Sequence, residues 1–432
     1  MKIARIVLAG TTALTLSMTA ASANENRAYL DQNGANNSAL VTQSGNRNAA
    51  GADGLAMTQQ GFLNQLTILQ SGDRNKIGLE GVGIVQHNGY DVGTTFVIDI
   101  TQSSDRNEVG SIKQYASGDA GWGLRNSAVI NQGGLGNNRV GSVYQERKSS
   151  GKNMLTVEQT GFGDRLETVY QRSNTGGSAP NQINITMSGI GNGTVTAGNR
   201  IFDGGLSGFA AGSGAQASSL KQGDLDQTSR GNKITLVVTG VSNDFGVTQN
   251  GRDNTVGTLN LGGVTNELGI NQHGNNNTIG LAAVDGVSNN IGISQLGDTH
   301  NATVSVVGSF NQMGVLQSDT SNSATVLITG VNNGLAPNLW GTANWSGSAL
   351  EVASLNPMLD RGMLKQIGES NLASLTVTGN SNAFGVLQNG NSNTLTGVQD
   401  GSYNQAAVVQ VGNANTTSFT QIGSGNTLGV LQ

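Results

Sequence analysis

The sequence predicts an all-β protein, a β-solenoid whose rungs contain two strands and about 22 residues each. Near the end of the chain, glutamines recur every eleven residues. The first four are each followed by a glycine two positions later and by an asparagine five positions later. A short, fixed period of this kind is typical of folds in which each unit buries its core against its neighbours. The residues are Gln388, Gln399, Gln410, Gln421 and Gln432; Gly390, Gly401, Gly412 and Gly423; and Asn393, Asn404, Asn415 and Asn426.

The second observation is that the repeat has two unlike halves. Two positions before each turn, glutamine and an aliphatic residue alternate between 227 and 328, so one rung contains two strand–turn units and two columns of residues. Two of the steps are twelve residues long instead of eleven. We expect one column to contain Gln249, Gln272, Gln295, Gln317 and, after an interruption, Gln366, and the other to contain Val238, Leu261, Val284, Val306 and Ile328. The turns are marked by Gly240, Gly251, Gly274 and Gly297.

The third observation is strict alternation between the turns. Counting from each asparagine, the residues at plus two and plus four are apolar, as in Ile279 and Leu281 after Asn277. This alternation indicates a half-buried strand whose inner face carries the asparagine, both apolar residues and the glutamine. Outer positions such as Gly269 and Gly292 are small, so we expect an uncrowded outer face. The other asparagines in this pattern are Asn243, Asn254, Asn289, Asn311 and Asn382.

Buried amides need hydrogen-bond partners, because an unpaired one costs a few kcal/mol. Stacked rungs lie about 4.8 Å apart, so identical amides can donate to one neighbour and accept from the other. The glutamines and asparagines are therefore the candidate self-assembly residues. Glycine and asparagine also suit the reversal between strands, since both tolerate positive φ.

The beginning of the chain has the features of a secretory signal. Residues 1–23 contain Lys2 and Arg5, an apolar stretch from Ile6 to Met18, and a small-residue cleavage site at 21–23. The exported chain would carry 22 − 2 = 20 basic and 27 acidic residues, a net charge of −7, which disfavours nucleic acids and anionic membranes as partners. No later apolar segment reaches about 18 residues, so no membrane insertion is expected. Cysteine is absent, so disulfides cannot contribute.

After the signal we expect one elongated solenoid with two interruptions. Residues 24–192 contain irregular repeats with longer loops, and the glutamine spacing between Gln43 and Gln59 predicts a five-residue insertion in a turn. Residues 193–221 form a Gly/Ala/Ser-rich loop, 222–333 are regular, 334–365 form an insertion with Trp340 and Trp345, and 366–432 are regular again. The tryptophans could form a ligand-stacking platform or cover an exposed core.

The motif QxGxxNxxxxxQ, present from Gln388 to Gln399 and from Gln410 to Gln421, resembles the curlin repeat of bacterial curli subunits. The resemblance covers most of the chain after the signal. It implies a secreted amyloid subunit that polymerises into extracellular fibres of the biofilm matrix of a Gram-negative bacterium. The implied partners are further copies of the chain, a nucleator subunit and an outer-membrane secretion channel reached through the periplasm.

Several features leave an alternative open. The chain is longer than familiar curlins and alternates glutamine with valine, so a nucleating or non-polymerising surface adhesin that binds other matrix components is also considered. Polymerisation is favoured because the final strand, with Leu428, Val430 and Gln432, has no polar capping unit and leaves an open edge. Growth is expected at the terminal rungs, where glutamine occupies both columns.

Catalytic and ligand-binding classes have weaker support. The three histidines, His87, His273 and His300, have no partner at ligand spacing, so we expect them on the surface or in loops without a metal or cofactor. Acids such as Asp73 and Asp105 fall mainly in turns, and no acid–base pair can be placed, so an enzyme is not expected. Ice or carbohydrate binding would need ordered threonine pairs, whereas the outer positions are mixed.

Overall fold

The protein is an all-β solenoid in a computed structural model, in which consecutive strands alternate between two parallel sheets. The structure describes residues 3–9, 13–18, 25–33, 37–52, 56–78, 83–88, 95–117, 126–148, 151–173, 179–193, 209, 219–222, 230–334 and 345–432. The chain divides into two compact units. The first comprises Met1–Thr194, Ser218–Val238 and Asn250–Arg252, and the second comprises Val195–Ala217, Thr239–Gln249 and Asp253–Gln432.

The strands of the first unit pair in parallel, each with a strand of the next rung. Sheet A contains β1 (Ile3–Ala9), β3 (Arg27–Asn33), β5 (Ala49–Ala50), β6 (Met57–Gly61), β8 (Lys76–Ile77), β9 (Ile84–Asn88), β11 (Glu108–Ser117), β13 (Arg139–Lys148), β15 (Arg165–Ser173) and β17 (Ser219–Gln222). Sheet B contains β2 (Ala13–Met18), β4 (Ser38–Gln43), β7 (Asn64–Gln70), β10 (Phe96–Gln102), β12 (Asn126–Gln132), β14 (Asn153–Gln159), β16 (Asn181–Met187) and β18 (Lys233–Val238).

The second unit repeats the same arrangement. In sheet A it contains β19 (Asp244–Asn250, whose last residue belongs to the first unit), β21 (Glu267–His273), β23 (Asn290–Asp298), β25 (Gln312–Thr320), β27 (Met363–Glu369), β29 (Ala383–Asn389), β31 (Gln405–Val411) and β33 (Thr427–Leu431). In sheet B it contains β20 (Thr255–Leu261), β22 (Thr278–Val287), β24 (Asn301–Ser309), β26 (Ser323–Val331), β28 (Leu372–Asn380), β30 (Thr394–Ser402) and β32 (Thr416–Ser424). The helix α1 (Gly347–Leu355) lies in the insertion between β26 and β27.

The two units differ in rung length. In the second unit the predicted period holds, because Gln272 and Gln295 are separated by 23 residues and Gln295 and Gln317 by 22. In the first unit the corresponding separations are 27 residues from Gln43 to Gln70 and 32 from Gln70 to Gln102. The two-strand rung is therefore confirmed, and its length of about 22 residues applies to the second unit.

The five-residue insertion predicted after Gln43 lies inside a strand and not in a turn. Both β5 and β6 pair with β3, so this strand of sheet A is interrupted between Ala50 and Met57. The same occurs where β8 and β9 both pair with β11. The prediction was wrong here because glutamine spacing counts inserted residues without showing where between two turns they leave the ladder.

The twelve-residue steps are explained by an irregularity in sheet B. The pairing of β22 with β24 shifts between Ile279 and Ala282, as in a β-bulge. The register then places Ala282, and not Leu281, opposite the buried Val304. The extra residue changes the parity of the strand after it: in β20, which pairs with β22, Thr258 at plus four from the asparagine is exposed and Leu259 is buried.

The core between the sheets is narrow and contains the predicted apolar columns. Leu261, Val284, Val306 and Ile328 are fully buried, and successive members are paired in register. Val238 occupies the same position in the first unit, paired with Met187. This confirms the assignment of the apolar residues at these positions to the inner face.

The outer face of sheet A is more crowded than predicted. Gly269, Gly292 and Gly314 form a column in register, and a Cβ at Gly292 would lie 1.8 Å from the carbonyl oxygen of Phe209. Farther along the same face, a Cβ at Gly429 would lie 2.1 Å from Ser348 O, at the start of α1. These glycines therefore provide room for segments from the two interruptions.

Helix α1 and its flanking residues cover part of this outer face. Ala349 and Val352 form a buried cluster with Leu387 and Val409, and Trp345 packs against it. The guanidinium of Arg361 lies 5.7 Å from the centre of the Trp345 ring. The contacts of Trp345 fit the covering role better than an open stacking platform. Trp340 lies outside the described residues, as does most of the loop predicted at 193–221.

Candidate functional site: the amide ladders

A continuous ladder of glutamines runs along sheet A in the second unit. Each Nε2 donates to Oε1 of the glutamine in the next rung, at 2.8 Å from Gln249 to Gln272 and 2.9 Å from Gln272 to Gln295. The members are Gln249, Gln272, Gln295, Gln317, Gln366, Gln388, Gln410 and Gln432. The predicted column of glutamines is confirmed.

The ladder glutamines also connect the two sheets. Gln388 Nε2 donates at 3.0 Å to Leu372 O at the start of β28, across the core. Gln410 makes the same bond to Thr394 O at the start of β30, at 3.1 Å. A glutamine in the middle of the ladder thus makes three hydrogen bonds, which removes most of the cost of burying its amide.

The first unit has glutamine in both columns. The sheet B column contains Gln43, Gln70, Gln102, Gln132 and Gln159, and the sheet A column contains Gln32, Gln59, Gln86, Gln114, Gln145 and Gln171. Sequence reasoning missed Gln114 and Gln145 because no glycine follows them at plus two. The apolar residues Ile112 and Val143, two positions earlier, could have identified them through the strand parity.

In the second unit, glutamine returns to the sheet B column only near its end. Gln399 donates to Gln421 at 2.9 Å, while Val377 pairs with Gln399 in the preceding rung. Both columns are therefore amides in the rungs from Gln388 to Gln432, as predicted, and in most of the first unit.

The asparagine ladders use a different set of bonds. Asn289 Oδ1 accepts from the backbone N–H of Asn311 at 2.9 Å, and Asn289 Nδ2 donates to Gly308 O at 2.8 Å. A longer amide-to-amide bond joins the same two residues, from Asn311 Nδ2 to Asn289 Oδ1 at 3.1 Å. It runs from the later rung to the earlier one, opposite to the direction of the glutamine bonds. The predicted amide-to-amide pairing therefore describes the glutamines, whereas the asparagines mainly connect one turn to the next turn.

Two asparagine columns run through the second unit. One contains Asn243, Asn266, Asn289, Asn311, Asn333, Asn382, Asn404 and Asn426. The other contains Asn254, Asn277, His300, Asn322, Asn371, Asn393 and Asn415.

The turn glycines are required for two reasons. Gly390 has φ of 133° and Gly401 has φ of 122°, a region that side chains disfavour. A Cβ at Gly390 would also lie 1.9 Å from Gly412 O in the next rung. The other predicted turn glycines, Gly240, Gly251, Gly274, Gly297, Gly412 and Gly423, have positive φ as well.

His300 takes the place of an asparagine and is buried, contrary to the expectation of a surface or loop histidine. Its Nδ1 accepts from Asn322 N–H at 3.3 Å, and its Nε2 lies 3.3 Å from Leu296 O. These contacts fit the neutral ring with the proton on Nε2. Burial lowers the pKa of His300, against smaller opposing effects from Leu296, Asp298 and Asp319.

In the first unit, Asp164 takes the place of an asparagine in a turn column, as His300 does in the second unit. It is fully buried between Asn138 and Asn192, and its Oδ1 accepts from Asn192 N–H at 3.0 Å. Burial raises the pKa of Asp164, partly offset by the donors of Asn192 and Gly161.

The glutamine ladders have a direction. Every amide-to-amide bond in the glutamine columns runs from Nε2 to Oε1 of the rung that follows in sequence, so the first glutamine of a column has no glutamine donor for its Oε1. Gln32 and Gln399 are such residues, and neither Oε1 has a hydrogen-bond partner in the described part of the chain. At the opposite end, Gln432 Nε2 makes one bond, at 3.3 Å to Thr416 O, and keeps a second N–H.

The segment predicted as the signal occupies the edge beside Gln32. Strands β1 and β2 pair with β3 and β4, which places Leu8 opposite Gln32 and Met18 opposite Gln43. Cleavage after residue 23 stays a prediction.

Other kinds of site have little support among the described residues. No group of three or more histidine and acidic side chains is arranged there to hold a metal ion. No helix in the described ranges is long and apolar enough to span a membrane. Comparisons with protein-family models and with curated proteins find no match to this chain.

Proposed function

We propose that the chain is a structural subunit of an extracellular curli-like amyloid fibre, which serves biofilm cohesion and adhesion and grows by stacking of terminal rungs. The observation that carries this proposal is the direction of the glutamine ladders. A glutamine column whose amide-to-amide bonds all run the same way has a donor at one end and an acceptor at the other. Such ends are complementary between identical copies, as in cross-β assemblies.

The glutamine column of sheet A defines the proposed contact between two copies of the chain. In this arrangement, Gln432 Nε2 of one copy donates to Gln32 Oε1 of the next, and Gln421 faces Gln43 in the other column. The far edge of β33 pairs with no described strand, so the backbone ladder can continue together with the amides. The contact requires that β1 and β2 have been removed, as expected for a cleaved signal.

The remaining partners follow from the resemblance to curlin repeats. A nucleator subunit would provide the first edge, and an outer-membrane channel would export the unfolded chain from the periplasm. The role is structural, and no step in it needs catalysis or a cofactor.

The proposal is tested by seeded growth of purified residues 24–432. We expect thioflavin-positive fibres whose diffraction shows a repeat of about 4.8 Å along the axis. Charged substitutions at Leu428 and Val430, on the inner parity of β33, should slow elongation. Ile422→Lys is the matched control, because this side chain is 73% exposed on the neighbouring strand β32. A wild-type chain that remains monomeric at high concentration with seeds present contradicts the proposal.

One observation favours the adhesin or nucleator alternative. Leu350, Leu355 and Met358, in and after α1, are 48%, 68% and 46% exposed. Large apolar side chains grouped on an insertion are typical of a binding surface. If replacing all three with serine abolishes adhesion to matrix components while seeded growth is unchanged, the insertion has a binding role separate from polymerisation.

A further inference from the structure

Four aromatic rings form a row on the outer face of sheet A in the first unit. His87, Tyr115, Tyr144 and Tyr170 lie on β9, β11, β13 and β15, which are successive rungs. Their ring centres are 6.1, 5.7 and 5.2 Å apart in this order. Three of the six tyrosines of the chain are thus brought together by the stacking of rungs.

Within this row, Tyr144 and Tyr170 have the closest arrangement. They are directly paired in register, and their rings are stacked with an angle of 4° between the planes. The rings of Tyr115 and Tyr144 are tilted by 37°. Both Tyr144 and Tyr170 are half-buried, and the Tyr170 hydroxyl is buried, so an oxidant meets the exposed parts of the residues while the strands restrict their motion.

Tyr144 also has a proton acceptor. Its hydroxyl donates to Glu146 Oε2 at 3.3 Å, and this carboxylate is held by Arg172, whose Nε lies 3.2 Å from the same oxygen. Burial, followed by the charge of Glu146, raises the pKa of Tyr144 to about 12, so the phenol is protonated at neutral pH. Loss of an electron from a phenol makes its proton strongly acidic, and a hydrogen-bonded carboxylate is placed to receive it.

We propose that Tyr144 and Tyr170 are a site of oxidative cross-linking, joined within one chain by a carbon–carbon bond between their rings. The oxidant is hydrogen peroxide used by a peroxidase. Each phenol loses one electron and its hydroxyl proton, and the two radicals couple at ring carbons next to the hydroxyl-bearing carbon. The hydrogens at those carbons then move to the oxygens, which restores both phenols. Hydrogen peroxide takes up the two electrons and two protons and becomes two water molecules.

The cross-link would connect β13 to β15 covalently in a protein without cysteine. The two residues are 26 positions apart in sequence but adjacent in the stack, so the bond would prevent these rungs from separating. Proximity also makes the reaction intramolecular, because the neighbouring ring is present at a far higher effective concentration than a tyrosine of another chain. This inference does not depend on fibre formation.

The test is oxidation of dilute, monomeric residues 24–432 with a peroxidase and hydrogen peroxide. Dityrosine fluorescence, the intact mass and the identity of cross-linked peptides are measured. We expect a monomer that has lost two hydrogen atoms and contains a Tyr144–Tyr170 linkage. Tyr170→Phe keeps the stacked ring and should lower the yield about tenfold or more, because the next pair is farther apart and tilted. Glu146→Gln should slow the reaction severalfold without changing the product.

Tyr403→Phe is the matched control. Tyr403 is 67% exposed, so accessibility alone would favour its oxidation, whereas the stacked pair predicts that its loss leaves the yield unchanged. The inference is overturned by a main product linked through Tyr403 or Tyr115, by an intermolecular product, or by an unchanged yield in Tyr170→Phe. Absence of coupling under conditions that couple free tyrosine also overturns it.

Discussion

The two units build the same core from different sequences. In the second unit the rungs are nearly uniform and, before Gln399, one column is glutamine while the other is aliphatic. In the first unit both columns are glutamine over most of its length, and successive rungs differ in length, with up to 32 residues between paired glutamines. A uniform period is therefore not what holds the stack together. The shared features are the inner columns and the asparagine turn.

The turns of the two units also have the same backbone geometry with different residues. The residue before the turn asparagine has positive φ at most turns of both units. In the second unit this position contains residues such as Ser242, Asn276 and Ser288, whereas the first unit has Arg47, Arg74 and Arg106. Because the backbone geometry is the same, the turn is determined by the asparagine bonds more than by the conformational preference of the preceding residue.

The largest effect is expected from a charge in the narrow core. Val386 is 2% exposed and lies between Leu364 and Val408 in register. Val386→Asp should destabilise the second unit by more than about 3 kcal/mol and disrupt several rungs, since an unpaired buried charge has no compensation. Circular dichroism and protease resistance measure this. Val307→Asp, on an outer position, is the control, and equal tolerance of the two contradicts the inner-face assignment.

A smaller effect is expected from breaking one ladder. Gln388→Leu leaves Gln410 Oε1 without its donor and Gln366 Nε2 without one of its acceptors. We expect a loss of about 2 kcal/mol with the strand content retained, because the backbone pairs remain. Urea unfolding followed by circular dichroism provides the value. Gln132→Leu is the corresponding substitution in the first unit. If only one of the two substitutions lowers the free energy of unfolding, the ladders of the two units are not equivalent.

The third prediction concerns the buried acid of the first unit. Because the pKa of Asp164 is raised on folding, the stability that it contributes is present below the unfolded-state pKa of about 3.9 and is lost as the pH rises through the folded-state pKa. Asp164→Asn restores an amide to the column and should stabilise the unit at neutral pH by about 1–2 kcal/mol. Thermal unfolding between pH 4 and 8 measures this, and parallel curves for the two proteins contradict it.

The sequence predicts the contacts between neighbouring rungs that repeat with the period. It does not predict the contacts made by segments without a repeat. Gln272 and Gln295 were placed correctly because a ladder contact repeats with the period. Gln114 and Gln145 were missed because their turns lack the glycine, although their bonds are the same. The crowding at Gly292 could not be foreseen, since Phe209 belongs to a segment with no repeat. The position of α1 is likewise determined by tertiary packing against Leu387 and Val409.

The smallest effect is expected at His300 in the second unit. Its contribution to stability changes with pH in the opposite direction to that of Asp164. Its Nδ1 must remain unprotonated to accept from Asn322 N–H, so folding lowers the pKa of His300 below the unfolded value of about 6.5. The stability that the neutral ring contributes is therefore fully present above about pH 6.5 and decreases as the pH falls toward the folded-state pKa. His300→Asn should remove this decrease and stabilise the unit by about 1 kcal/mol near pH 5, with little change at pH 8. His273→Asn, at an exposed position of the same unit, is the control substitution. Unfolding curves of the three proteins across this range measure the difference, and a His300→Asn variant that retains the acid-side loss would place its origin elsewhere in the stack.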